Sequence, residues 1–390
     1  MLGEKRFLRS IQLRNLLSFG PDTPELELKS LNVLIGPNGS GKSNLIDAIG
    51  LLQAAPNDLM VPIRAGGGIA EWLWKGSAEG HAELIAVVDY PVLKRASLHH
   101  VFWFDREEQR SLVRETIRRE DESEVFFRRP DGTAFLKFVA AGRRKQREVE
   151  LKELLANQSI LSQRKDPDAY PDLTFLGNEY GKIKLYREWS LGRSAEARKA
   201  QRTDNPADFL LEDASNLALV LNEFENLSLK LGLLEKLRNA DEAITTFSFK
   251  IFSGTIQLFL HYDGLKSPVP ATRLSDGTVN YLCLLAILCH PSPPPLVCLE
   301  EPELGLHPDL IVELADLLVE ASHRMQLIVT THSDILVDAL TEVPEAVIVC
   351  DKQNGSSRMR RPKGEELSTW LKEYGLGQLW RRGQIGGNRW

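Results

Sequence analysis

A chain of 390 residues, 43% apolar and 26% charged, has the makeup expected of a globular protein with room for a sizeable core. No apolar run reaches the roughly 18 residues that span a bilayer, and "MLGEKRFLRS" lacks the apolar core of a secretion signal, so a cytoplasmic protein without membrane contact is expected. The net charge of −6 argues against a globally basic nucleic-acid binder but leaves room for local basic surfaces.

Residues 7–35 alternate apolar and polar positions around a turn at "GPDTP", the pattern of two or three strands. The strand "LNVLI" runs into "GPNGSGKS" at 36–43, which fits GxxxxGK(S/T), and then into a helix beginning "NLIDAIG". The chemistry of a phosphate site needs that strand–loop–helix context. Gly36, Gly39 and Gly41 let the backbone wrap an anion, with Pro37, Asn38, Ser40 and Asn44 completing the cradle. Lys42 is placed to reach the outer phosphates and the Ser43 hydroxyl to ligate Mg²⁺. A glycine-rich strand–helix turn that holds nothing is the plainer alternative.

Residues 80–140 read as an antiparallel lobe of strands ("AELIAVVDYPVL", "SLHHVFWFD", "EVFFRR", "AFLKFVA") with "PDG" between the last two. Residues 145–245 are more helical, and Leu217, Val220, Leu221, Phe224, Leu227, Leu231 and Leu234 fall on one continuing helical face. "TFSFKIFSGTIQLFLHYDG" returns to strands around a Ser-Gly turn. From 274 onward helix and strand alternate, as in a mostly parallel sheet. Cys283, Cys289, Cys298 and Cys350 lack metal-ligand spacing and sit among apolar residues, so buried free thiols are expected.

Three stretches in this last part carry chemistry. "RLSDGTVNYLCLLAIL" (273–288) has the form LSxGx followed by a helix, an anion-binding turn with Ser275 and Gly277 at the helix start; Ser-Asp-Gly also occurs at ordinary turns. In "PLVCLEEPELGLHP" (295–308) an apolar strand ends in Glu300 and Glu301. Adjacent carboxylates that lose hydration repel unless a cation or proton is shared. Beside a phosphate loop, at the end of a neighbouring parallel strand, Glu300 would hold Mg²⁺ and Glu301 would polarise an attacking water; alone, the pair would read as a solvated acidic turn. "VTTHSDIL" (329–336) leads from a strand to His332, which can bond a γ-phosphate or simply precede a helix cap.

The order phosphate loop, LSDGT, EE, ELGLHP, THS resembles the ABC-class ATPase heads of the RecF and structural-maintenance-of-chromosomes (SMC) type. It is most like the compact RecF-like group labelled AAA-family ATPases, which includes the overcoming-lysogenization-defect nucleases. The likeness covers roughly residues 7–55 and 270–351. It implies an α/β fold: an ABC-type P-loop ATPase head with a mixed, mostly parallel sheet, an antiparallel β lobe and a helical insert. The expected division is 1–80 and 271–352 for the head, 81–145 for the lobe, 146–270 for the insert with its return strands, and 353–390 for a basic tail.

The resemblance further implies ATP and Mg²⁺ as ligands, and a homodimer whose heads sandwich ATP between one copy's phosphate loop and the other's Ser275 and Gly277. Glu303 to His307 would form the loop linking the two sites, with Glu301 and His332 as catalytic groups. A glutamine contacting Mg²⁺ and the water is expected in "SILSQRKDP", at Gln163, with Gln158 and Gln53 as weaker choices. The family's usual magnesium acid is aspartate. Glu300 instead carries an extra methylene, moving the carboxylate by more than about 1 Å, which brings slow turnover into play. Asp276 stands where transporter heads have glycine.

The function expected is ATP-switched action on DNA, in repair or anti-phage defence, with a separately encoded effector such as a TOPRIM-like nuclease. The basic runs at 142–147, 358–363 and 380–389 are candidate phosphate contacts. An ATP-binding regulatory scaffold with very slow hydrolysis, and a transporter ATPase subunit, are the alternatives.

Overall fold

The computed structural model describes residues 5–76, 80–91, 96–107, 110–121, 123–129, 133–140, 143–189, 192–226, 229–362 and 370–387. Three sheets organise them. An antiparallel sheet comprises β1 (Leu8–Arg14), β2 (Leu26–Glu27), β4 (His81–Tyr90), β5 (Ala96–Glu107), β6 (Arg110–Arg119), β7 (Val125–Arg129), β8 (Thr133–Ala140) and β9 (Arg143–Glu150), in the order β2-β1-β4-β5-β6-β7-β8-β9. The central sheet comprises β3 (Leu31–Ile35), β10 (Lys184–Tyr186), β15 (Leu296–Glu300), β16 (Gln326–Thr330), β17 (Val347–Gln353) and β18 (Ser356–Arg360). Its order is β10-β15-β16-β3-β17-β18, parallel throughout except for β18 at the edge. A third, small sheet holds β11 (Gln201–Arg202), β12 (Ile244–Phe252), β13 (Thr255–Tyr262) and β14 (Val269–Pro270).

The helices are α1 (Lys42–Ala54), α2 (Met60–Ala65), α3 (Ile69–Trp72), α4 (Ile160–Gln163), α5 (Pro171–Gly181), α6 (Leu217–Asn226), α7 (Lys230–Ala240), α8 (Asp276–Leu288), α9 (Pro308–Ser322), α10 (Asp334–Ala339) and α11 (Leu376–Arg381).

Strands β3 and β16 are buried at every position, as a parallel sheet covered on both faces requires. The pleat divides their side chains between two cores. Val33, Ile35, Val297, Leu299, Leu327, Val329, Val347 and Val349 face the core shared with α6 to α11. Leu34, Leu296, Cys298, Ile328, Ile348 and Cys350 face the other, shared with α1, α5 and the antiparallel sheet. Gln326, fully buried, ties the sheets together: its amide bonds Leu8 N (2.8 Å), Leu8 O (2.7 Å) and Lys29 O (2.9 Å).

Several expectations meet corrections. Strands β1 and β2, expected with the head, pair with the lobe, and β9 runs to Glu150, past the 145 boundary. The helical face read through 217–234 belongs to two helices. Leu217, Val220, Leu221 and Phe224 are buried in α6 and Leu234 in α7, but Leu231 of α7 is 74% exposed; Leu227 lies outside the described residues. "PDG" at 130–132 is also outside them. The four cysteines are free thiols, three of them buried and Cys289 partly so.

Candidate functional site

The phosphate-loop sequence leaves β3 and enters α1 in the topology that the strand–loop–helix pattern anticipates. Two of its glycines are required sterically. At Gly36 a β-carbon would lie 2.2 Å from Cys350 O, and at Gly41 (φ 100°) 2.3 Å from Ser357 Oγ. Gly41 caps α1 without a side chain, which leaves the helix's first amides to a ligand anion. Lys42, 6% exposed, turns its ammonium to Gly36 O (2.8 Å) and Pro37 O (3.2 Å). Burial pulls its pKa down, and the charges of Glu301 and Glu300 act against that; Cys350 behind it is held neutral, its thiol pushed up to about 12 by burial. Ser40 Oγ is buried without a hydrogen-bond partner among the described residues.

Glu300 closes β15 and hydrogen-bonds the Ser43 hydroxyl. The expectation that its strand neighbours that of the phosphate loop needs correction: β16 lies between β15 and β3, and it is the strand that delivers His332. All three strand ends are thus brought to one edge of the sheet. Glu301 leaves the strand at a positive φ of 46°, fixed by bonds from its N–H to Thr330 O (3.0 Å) and Thr330 Oγ1 (3.2 Å). This places its Oε1 3.6 Å from His332 Nε2. Burial lowers the His332 pKa, the Lys42 charge adds to that, and Glu301 opposes it.

Glu303 has a role that its sequence position did not disclose. Only 9% exposed, it accepts the Thr331 hydroxyl (2.5 Å) and the His332 N–H (3.1 Å) on Oε1. Burial raises its pKa against those bonds.

The LSDGT turn is built as a helix start. Ser275 caps α8, its Oγ accepting the Thr278 N–H at 3.0 Å. A β-carbon on Gly277 would meet Gly305 O at 2.7 Å, and Asn280 Nδ2 bonds Pro302 O (3.2 Å) and Leu304 O (2.8 Å), so the turn packs on the 302–305 loop. Asp276 is held by the buried Arg198 and accepts the Gly192 N–H at 2.9 Å. That anchor accounts for an acid where transporter heads have glycine.

Gln163 does not join these groups. Its amide bonds Leu155 N (2.8 Å) and Ser159 O (3.1 Å), and α4 packs beside Pro56, past the far end of α1 and roughly 20 Å along that helix from Ser43. Gln158 bonds Leu59 N (3.0 Å) and Asp58 (2.5 Å), while Gln53 bonds Ile183 O and Glu212, both at 2.8 Å. The segment beside Glu300 is instead the one following β10. Arg187 pairs with Asp47 of α1, and Trp189 Nε1 donates to Glu300 O at 2.8 Å. The only sequence signal for it was the "LYREW" run, which begins within the short strand β10.

Of the basic runs, Arg358, Arg360 and Arg361 bond backbone carbonyls of Asp22, Ile385 and Glu345, and Arg381 pairs with Asp334. Arg143 to Arg147 are exposed on the edge strand β9, where Arg144 also pairs with Glu124 (2.6 Å). Gly142, Lys363, Asn388 and Arg389 lie outside the described residues.

A family model described as "AAA domain, putative AbiEii toxin, Type IV TA system" matches residues 31–338. Among solved structures, the chain is similar to an Smc head bound to the C-winged helix domain of ScpA, with 15% identity, a TM-score of 0.59, and coverage of 92% of this chain and 99% of that one. It is also similar to an Smc head with an extended coiled coil, bound to the C-terminal domain of ScpA derived from Pyrococcus furiosus, with 15% identity, a TM-score of 0.52, and coverage of 94% and 99%. At such identities the likeness shows the fold alone, that of an SMC head domain. No curated protein matches the chain.

Proposed function

The chain belongs to the AAA-domain family of that description, and we propose that it is a Mg²⁺-dependent ATPase whose two copies clasp ATP between them. The observation that carries this reading is the Ser43–Glu300 hydrogen bond, which joins the start of α1 to the end of a strand two places away. A hydroxyl and a carboxylate are hard oxygen donors that suit Mg²⁺, which draws its other ligands from phosphate and water. Bound there, the ion would neutralise developing phosphate charge. Lys42 exchanges its loop carbonyls for phosphate oxygens, Glu301 takes the proton of the attacking water, and His332, held neutral, bonds the γ-phosphate. Ser275 and Gly277 of a second copy complete the site, and the 303–307 loop carries its state to the other site.

The output we assign to this cycle is action on DNA, in repair or defence, through a separately encoded effector, with the exposed cations of β9 as the phosphate contact. No helix among the described residues is long and apolar enough to cross a membrane. Phosphate release with Mg²⁺, abolished by EDTA, is expected, together with an ATP- and salt-dependent shift of duplex DNA. Hydrolysis unaffected by EDTA overturns the metal reading, and no shift at low salt overturns the DNA reading. The direct reach of Glu300 to Ser43 also favours a slow variant of the same cycle, in which ATP binding rather than turnover sets the state; single-turnover kinetics separate the two.

A further inference from the structure

The segment 376–387 has no part in the nucleotide motifs above, yet it touches both the element that follows His332 and the first glycine of the phosphate loop. Helix α11 docks on α10, which begins two residues after His332. The approach is close enough to need glycine: a β-carbon on Gly377 would lie 2.2 Å from Asp334 O. Asp338 Oδ1 accepts the Gly377 N–H at 3.1 Å, Thr341 Oγ1 accepts the Leu376 N–H at 3.0 Å, and Arg381 Nε stands 3.1 Å from Asp334 Oδ2. Leu376, Leu379 and Ile385 are buried in the core that holds Leu336, Val337 and Val349.

Beyond α11 the chain turns back to the sheet. Ile385 O accepts Arg360 Nη2 at 2.8 Å, and Trp380 Nε1 donates to Gly387 O at 3.3 Å. A β-carbon on Gly387 (φ 74°) would lie 2.9 Å from Val349 Cγ1 and 3.5 Å from Gly36 Cα. Gly36 is thereby wedged between this turn and Cys350 in the middle of β17.

We propose that residues 376–387 form a clasp that fixes His332 relative to the phosphate loop, with Gly377 and Gly387 as its positioning residues. Two elements that must hold one triphosphate in register are joined by the sheet through β16 and β17, which flank α10 in the chain and both pair with β3; the clasp adds a further link, outside the sheet, between α10 and Gly36. Its catalytic consequence rests on the ATPase reading of the site, but the mechanical link does not.

The experiment therefore uses two readouts on the full chain. The first is hydrogen exchange of the nucleotide-free protein. Gly377→Ala touches only α10, yet amides 36–45 are expected to exchange about tenfold faster; Gly387→Ala meets Val349, Gly36 and Trp380 Nε1 of α11 but nothing of α10, yet 334–340 are expected to do the same. Gly386→Ala is the control. It carries the same strain (φ 78°), but its β-carbon would meet only Arg360 Nη2 at 3.4 Å and Val349 Cγ1 at 3.8 Å, so exchange at both distant sites is expected within twofold of wild type. Should Gly377→Ala fail to fold, Arg381→Glu, reversing an exposed pair, replaces it, with Asp334→Arg in the same chain expected to restore exchange.

The second readout is ATP turnover, where Gly387→Ala is expected to lower kcat about tenfold with KM within twofold. Variants that each loosen only the element they touch overturn the clasp. A wild-type protein without ATP turnover overturns the ATPase reading and leaves the exchange result to decide the link.

Discussion

Glu303 Oε1 lies 3.1 Å from the backbone nitrogen of His332, and the same oxygen accepts the Thr331 hydroxyl at 2.5 Å. One buried carboxylate thus holds the segment that presents the histidine. Glu303→Ala leaves the buried hydroxyl and the part-buried N–H without their acceptor, so a stability loss of about 1–3 kcal/mol is expected in urea unfolding. Glu303→Gln keeps an acceptor at Oε1 and is expected to lose less than half as much. Equal losses in the two variants would mean that the negative charge, not the acceptor, is what the segment needs.

The carboxylate of Asp276 is expected to matter for assembly rather than for nucleotide binding by a single copy. Asp276→Gly removes the acid that faces Arg198 and frees the turn at Gly192. ATP affinity measured by calorimetry on the monomer should stay within twofold, while ATP-driven dimerisation, followed by light scattering, should weaken about tenfold. A monomer that loses ATP affinity would place Asp276 in the wrong half of the site.

Protonation of His332 should oppose both stability and turnover at low pH. Burial and the Lys42 charge hold its pKa below 6.5, so the native state binds fewer protons than the unfolded one in the window from 6.5 down to the native value. The contribution is therefore complete above 6.5 and is lost as pH falls through the native pKa. An NMR titration, with His332→Gln identifying the resonance, is expected to give a midpoint below 6.5, and Glu301→Gln is expected to move it lower still by removing the opposing charge. A midpoint at or above 6.5 would contradict this.

Lys42→Ala removes the ammonium buried within the loop. Contacts to charged groups contribute about 1.5–3 kcal/mol, so calorimetry should find nucleotide bound roughly tenfold to a hundredfold more weakly. The thermal midpoint without nucleotide should change little, since the present contacts are to two loop carbonyls only.

The features legible in the sequence are those set by neighbours along the chain. The phosphate loop, the Ser275 and Ser333 caps and the Ser253–Gly254 hairpin turn depend on consecutive residues whose backbone needs are local, and the structure has a helix or strand boundary at each. Hidden from the sequence were the pairings across hundreds of residues. Strand β16 slips between β3 and β15 because parallel neighbours need crossover connections, so chain order does not give sheet order. Gln163 had the right residue type in a similar run, but α4 ends up beside Pro56 while Arg187 and Trp189 occupy the ground next to Glu300. Leu231 and Leu234 share α7, yet Leu231 is 74% exposed while Leu234 is buried beside Leu233 and Leu237, so the buried face of α7 is not the one that the face of α6 extrapolates to. Gly377 and Gly387 in "GLGQLWRRGQIGG" had no local reading at all; their reasons are Asp334, Val349 and Gly36.

Glu301→Gln, measured by size-exclusion chromatography with light scattering in Mg²⁺ and ATP, tests most directly whether two copies hold one triphosphate between them. Losing the general base is expected to slow phosphate release by about a hundredfold or more while the nucleotide stays bound, so the variant should elute as a dimer with ATP and as a monomer without it. A variant that remains monomeric with saturating ATP, or that hydrolyses at the wild-type rate, would contradict the central claim that Glu301 acts on a triphosphate held between two copies.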